Sequence, residues 1–303
     1  MESTHSMRWR ERRARFVQDE RPFVRRGDLS VDVSSKAVLS GWLAEHHYIK
    51  SWPAALLPIG IFGNGPGGRS RLVGAIVFGT PTSEFSGPKR TGLPSPRQSC
   101  DLSRLCLSDE FGANGETAAM AQAFRLLRQV RPEIESVVAY SDPNIRRNAD
   151  GEVLAGGHVG ALYAATSLPR TGLARYTGRT SPRWEYRTCD GQVFSQRAVS
   201  KLRAVSQGFQ YSIDRLVGLG APPPGEQHPG AWFDEVVRDG SLIQRFRSVG
   251  CHSYVFPFTE GAAVAVEPLQ IWPRPRLDPN PQGNDVTAPP LFSETHRSER
   301  HAR

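Results

Sequence analysis

Cysteine is scarce. The 303 residues hold four, Cys100, Cys106, Cys189 and Cys251, with no Cys-x-x-Cys pair among them. That scatter gives no disulfide framework, so they read as reduced thiols of a cytoplasmic protein. Long apolar runs are missing as well. The longest, at 54–62 and 72–78, carry Pro or Gly and are too short to span a bilayer, so no membrane association is expected. The N-terminus is rich in arginine but has no apolar segment of the kind a secretion signal needs. The glycine-rich turn GNGPGGRSR lacks a Gly-Lys-Ser/Thr and no helical pattern follows it, which argues against a nucleotide-phosphate loop.

What is plentiful is positive charge, proline and glycine. The formal net charge is +8, which suits a polyanion such as nucleic acid; solubility with two basic termini accounts for it equally. The 24 prolines and 29 glycines fall in particular stretches, so part of the length is loop and tail. The composition divides the chain into a flexible basic arm at 1–30, a single domain at 31–262 and a disordered tail at 263–303. Inserted loops are expected at 80–99, 145–156 and 221–230. The arm, with RWRERRARF, reads either as a frayed terminus or as a phosphate-contacting segment.

Periodicity places the elements. A helix is expected over 34–48, with Val38, Leu39, Trp42 and Leu43 near one face, ending in His46-His47-Tyr48. Residues 56–62 and 72–79 form a hairpin across the glycine-rich turn. LSRLCL at 102–107 alternates as a strand with Leu102, Arg104 and Cys106 on one face, and an arginine there needs an anionic partner. A helix follows, with Met120, Ala123, Phe124, Leu127 and Val130 at i, i+3, i+4 spacing and Pro132 beyond its end. A strand at 137–140 then makes a parallel strand–helix–strand unit, whose helix start at Asn114–Thr117 offers free N–H groups to a pyrophosphate. A cationic helix at 198–204 and a helix-to-strand element at 242–258 complete the order.

The stretch 136–167 concentrates polar residues where a strand ends and a helix begins, a common place for a ligand site in α/β sheets. It holds Asp142, His158 and Tyr163. Each has a structural reading beside the functional one: Asp142 as a turn residue before Pro143, His158 as a helix cap, and Tyr163 as a core ring on the face of Val159, Leu162 and Thr166. Arg104 reads equally as a member of a structural ion pair.

HHYIKSWP (46–53), LVGAIVFGTP (72–81), LSRLCLSDE (102–110), VAYSDP (138–143), GHVGALYAATS (157–167) and GCHSYVFPF (250–258) occur in that order. The series resembles the bacteriophage Mom-type DNA modification proteins, which have a GNAT-like N-acyltransferase fold, over roughly Ser34–Thr259. The resemblance implies an α/β fold: a mixed twisted sheet, flanked by helices, with splayed central parallel strands that admit a donor. It implies a transferase that adds a carbamoylmethyl (methylcarbamoyl) group to N6 of adenine in double-stranded DNA, protecting phage DNA from restriction in the bacterial host cytoplasm. It points to His47, Tyr48, Arg104, Asp142 and Tyr163 as catalytic residues, with Tyr163 as general acid for a departing thiolate. Ser108, Asn114, Gly115 and Thr117 are the implied cofactor-binding residues, for acetyl-coenzyme A or a related small-molecule or carrier donor. His47, Tyr48, Asp142 and Tyr163 are implied ligands of an iron. The chain departs from the pattern by the insertion IRRNADGEVLAG at 145–156, by extended termini and by the 80–99 loop.

Adenine N6 is a poor nucleophile, so such an enzyme needs a base, Asp142 or His47, and access to an extruded base on which Tyr48, Tyr163 or Trp42 can stack. Two other classes remain: an acyl-coenzyme A N-acyltransferase acting on a small amine or a protein, and a non-catalytic DNA-binding protein of the same fold. The helix start at 112–117 lacks the Gln/Arg-x-x-Gly-x-Gly/Ala phosphate loop expected of the former.

Overall fold

The structure, a computed structural model, describes residues 5–10, 13–18, 23–25, 27–47, 49–64, 70–81, 86–112, 114–144, 146–147, 153–155, 157–168 and 171–266. β1 (His5–Arg10) and β2 (Arg13–Gln18) pair as an antiparallel ribbon. β3 (Leu29–Val33) enters the main sheet, and α1 (Lys36–His46) follows, with the Ser35 side chain accepting from Val38 N–H as its N-cap. β4 (Ala55–Asn64) and β5 (Ser70–Gly79) form the expected hairpin.

The 80–99 stretch is more than a surface loop. It contains α2 (Ser86–Thr91) and a 3-10 turn closed by a Ser95–Gln98 capping box, and Thr91 and Leu93 are buried against the sheet. β6 (Ser99–Leu107), α3 (Gly115–Val130) and β7 (Ser136–Ser141) make the predicted parallel unit. A small hairpin of β8 (Arg146–Arg147) and β9 (Val153–Ala155) lies in the 145–156 insertion. Then come α4 (Ala161–Ala165), β10 (Ser167–Leu168), β11 (Gly172–Leu173) and β12 (Arg175–Arg179).

The seven-stranded main sheet has the order β12, β16, β7, β6, β5, β4, β3, where β16 is His252–Pro257. Among these strands only β6 and β7 run parallel. Their pairing covers Ser99–Leu102 against Ser136–Ala139 and then stops. Beyond it β6 stays with β5 as far as Leu107, while β7 stays with β16 as far as Ser141. The two strands part at their carboxyl ends.

α3 covers one face of this sheet through Ala119, Met120, Ala123, Phe124 and Leu127; the Phe124 ring lies 5.0–5.9 Å from those of Phe78, Phe256 and Phe258. Val130, expected on the same stripe, is exposed in the last turn. α1 packs Leu39 and Leu43 on Ala75 and Val77 of the opposite face.

Between β12 and β16 the chain builds a second hydrophobic core. β13 (Arg183–Thr188), β14 (Val193–Phe194) and β15 (Ile243–Ser248) form a three-stranded sheet covered by α5 (Gln196–Ala204), α6 (Phe209–Gly218) and α7 (Pro229–Asp239). Its core gathers Tyr186, Phe194, Leu202, Leu216, Trp232, Phe233 and Ile243. The helix-to-strand element read at 242–258 is two strands in two different sheets, β15 and β16, joined by a turn with Gly250 at φ +82°. α8 (Glu260–Ala265) ends the described chain, so most of the 263–303 tail lies outside it.

Candidate active site

β7 delivers the site because it ends abruptly at a proline. Asp142 Oδ1 accepts from Asn144 N–H at 2.9 Å and from Asn144 Nδ2 at 2.6 Å, an Asx-type closure of the turn. The Asp142 carbonyl accepts from His158 N–H at 2.8 Å, which stitches the segment after the insertion back onto the strand end. Gly157, at φ +67°, makes the return possible: a Cβ there would lie 2.5 Å from the Pro143 carbonyl oxygen. The insertion therefore leaves Asp142 and His158 adjacent.

On the α3 side of β7 an aromatic and imidazole wall forms. Ser141, Ala139 and Val137 pair with His252, Tyr254 and Phe256, so period-two alternation puts these six side chains on one face. Tyr176 of β12 pairs with Tyr254 on that face. Tyr163 of α4 lies over it, buried, with ring centroids 5.6 Å from Tyr254, 6.2 Å from Phe256 and 6.0 Å from His158. The short helix fits because Gly160 has no side chain; a Cβ there would meet the Tyr254 ring at 2.5 Å and Ser141 Oγ at 3.0 Å. Ser141 Oγ is buried with no hydrogen-bond partner among the described residues.

His252 sits between Tyr176 OH, 3.1 Å from Nδ1, and Arg179 Nη2, 3.2 Å from Nε2. Guanidinium only donates, so Nε2 is the acceptor and the proton lies on Nδ1, toward Tyr176. Burial, helped by the nearby Arg179 and His158, lowers the His252 pKa to about 4. His158 is lowered too, mainly by burial and against the pull of Asp142. Both imidazoles are neutral at pH 7.

The other face of the same strands carries a buried acid. Asp101 pairs with Val138 in the parallel ladder, one residue before pairing ends. It is 8% exposed and its Oδ1 has no hydrogen-bond partner among the described residues. Burial raises its pKa to about 7. The same buried acid, after burial itself, helps push Tyr140 up to about 12, while Arg90 pulls it down.

Of the other implied residues, Arg104 does not share a face with Leu102. A bulge falls between the pairs Phe78–Leu102 and Val77–Arg104, so Leu102 joins the α3-side core while Cys106 packs with the α1-side cluster. Arg104 donates to the Ser103 carbonyl at 2.7 Å and the Ser51 carbonyl at 2.9 Å, tying the segment after α1 to β6. His47 caps α1, buried, with Nδ1 accepting from Ile49 N–H at 2.9 Å. Tyr48 lies outside the described residues.

At the start of α3 the Asn114 side chain is engaged with the Val24 backbone, accepting at 2.7 Å and donating at 2.9 Å. Gly115 is packed under Leu107 and Phe111, Thr117 Oγ1 donates to the Asn114 carbonyl at 2.9 Å, and Ser108 N–H donates to the Val73 carbonyl. Glu116 adds a carboxylate to the first turn. A coenzyme A pyrophosphate fits this covered, acidic helix start poorly. Nor do three His, Cys, Asp or Glu side chains gather for a metal among the described residues.

Asp101, Tyr176, Arg179, His252 and Tyr254 escaped sequence reasoning. GCHSYVFPF carried an alternation signal, since His252, Tyr254 and Phe256 share a face. Asp101, between the apolar Cys100 and Leu102, was legible as a carboxylate in a buried strand.

A model of the Mom protein family matches residues 28–214, more than half of the chain. No curated protein matches it.

Proposed function

Since the chain belongs to the Mom protein family, associated with phage DNA modification, we propose that it is a transferase that adds a carbamoylmethyl group to N6 of adenine in double-stranded DNA. The observation that carries this reading is the parting of β6 and β7 after Leu102 and Ala139, with Asp101 on one face and Tyr163 on the other. An extruded adenine and a small activated donor meet between the strand ends, in the manner of a GNAT-like sheet.

Asp101 is the base, because its pKa of about 7 matches the working pH better than an ordinary carboxylate does. It takes a proton from N6. The N6 lone pair forms a bond to the donor's methylene carbon as the bond from that carbon to its leaving group breaks. Tyr163 gives its phenolic proton to the leaving group. Asp142, held by Asn144, orients the exocyclic amine as an acceptor. Arg104 and His47 hold Ser51 and Ile49 in the segment after α1. No step is routed through iron. The covered start of α3 disfavours the coenzyme A-dependent alternative.

The test is nucleoside mass spectrometry of DNA from cells expressing the chain, beside Asp101→Asn and Tyr163→Phe variants. A carbamoylmethyl-deoxyadenosine peak that falls at least a hundredfold in both variants is expected. Unmodified deoxyadenosine alongside folded wild-type protein would overturn the proposal.

A further inference from the structure

The second core presents a surface that the proposed chemistry does not use. On β13 and β15, Trp184 stands directly opposite Arg247 and diagonal to Arg245. The Arg245 guanidinium lies 4.4 Å and that of Arg247 5.5 Å from the Trp184 ring centroid. All three side chains are exposed, Trp184 by 42%. Other arginines of this unit are engaged: Arg183 with Glu185, Arg203 with Asp234, and Arg187 over Phe246 at 3.7 Å. Arg245 and Arg247 face no carboxylate among the described residues.

We infer that this face grips the phosphate backbone of duplex DNA beside the target adenine. A guanidinium held over an indole loses little rotamer freedom on capturing an anion and can still donate to a phosphate. The two arginines sit at i and i+2, about 7 Å apart along the strand, so each meets its own phosphate. With guanidinium groups already over the indole, Trp184 orders the arginines and does not stack on bases; the contact reads backbone and not sequence.

The surface is joined to the site. Arg247 precedes Ser248, whose Oγ accepts from Asn144 Nδ2 at 3.3 Å, and Asn144 holds Asp142. β15 lies beyond the residues matched to the family, which end at 214. The inference rests on the reading of DNA as substrate.

The experiment measures fluorescence anisotropy of a short labelled duplex with the full chain across a series of NaCl concentrations, alongside nucleoside mass spectrometry. R245Q/R247Q is compared with R197Q/R238Q, which removes equal charge from exposed positions on α5 and α7. The first pair is expected to weaken binding at least about tenfold and to lower the slope of log K against log salt by about 1.8, with the control near wild type. W184A is expected to weaken binding with a smaller change in slope. Equal effects of the two double variants, or none in the first, would overturn the inference while wild-type modification leaves the proposed function standing. A wild type that neither binds nor modifies DNA overturns both.

Discussion

Asp101 and His252 flank the point where β6 and β7 part, and pH acts on them in opposite senses. The Asp101 pKa is raised to about 7 in the fold, so the folded chain holds a proton that the unfolded chain gives up, and stability falls as pH rises from about 4 to 7. The His252 pKa is lowered to about 4; its contribution is present above about 6.5 and is lost as pH falls toward 4. In the wild type the two slopes oppose. Asp101→Asn should raise stability at pH 8 by on the order of 2 kcal/mol in urea denaturation while abolishing modification; unchanged stability would mean the carboxylate is better solvated than its burial indicates. Tyr163 separates packing from chemistry in a similar way. Tyr163→Phe keeps the ring contacts with Tyr254 and Phe256 and should cost under about 1 kcal/mol, whereas Tyr163→Ala should cost about 3–5 kcal/mol. Full modification by the Phe variant would make Tyr163 a core tyrosine only.

At the scale of elements, the parallel unit and the β4–β5 hairpin were legible because their periods and turn residues agree. The bulge beside Leu102 was not. One extra residue inverts the alternation, and LSRLCL has no local mark that separates a bulged strand from a regular one. The face assigned to Arg104 by counting twos was therefore wrong relative to Leu102 and right relative to Cys106. The site was legible in part for a related reason: Asp142, His158 and Tyr163 lie in one stretch, whereas Tyr176 and His252 reach it through pairings across 73 residues and more. The turn between β15 and β16 is a sharp test of that assembly. A Cβ on Gly250 would lie 2.1 Å from the Thr180 carbonyl oxygen, at a φ of +82°. Gly250→Ala should destabilise by roughly 1–3 kcal/mol in urea denaturation and lower modification by displacing His252; a wild-type midpoint would mean the turn relaxes freely.

Across the whole molecule two cores share no residue: the larger draws on positions up to 176 and from 254 onward, and the smaller lies within 186–243. From sequence this stretch reads as a cationic helix at 198–204 and an inserted loop at 221–230, since no single part of it is apolar enough to announce a core. The core forms only when α5, α6 and α7 close on the three-stranded sheet. β12 and β16 pair without it, and Thr180 N–H donates to the Cys251 carbonyl at 2.8 Å. A chain in which a short Gly-Ser turn joins Thr180 to Cys251 should keep a cooperative thermal transition and lose salt-dependent DNA binding. Failure of that chain to fold would show that the two cores stabilise each other.

The position of β16 in the sheet sets a timetable. It lies between β12 and β7, yet 111 residues separate Ser141 from its partner His252. At about 5–20 residues per second of synthesis, the β7 edge waits roughly 6–20 s for its neighbour. During that interval neither His252 nor Tyr254 is present, and Tyr163 has no wall to pack against. A growing chain carries Asp101, Asp142 and Tyr163 before the strand that completes their surroundings, β16, leaves the ribosome.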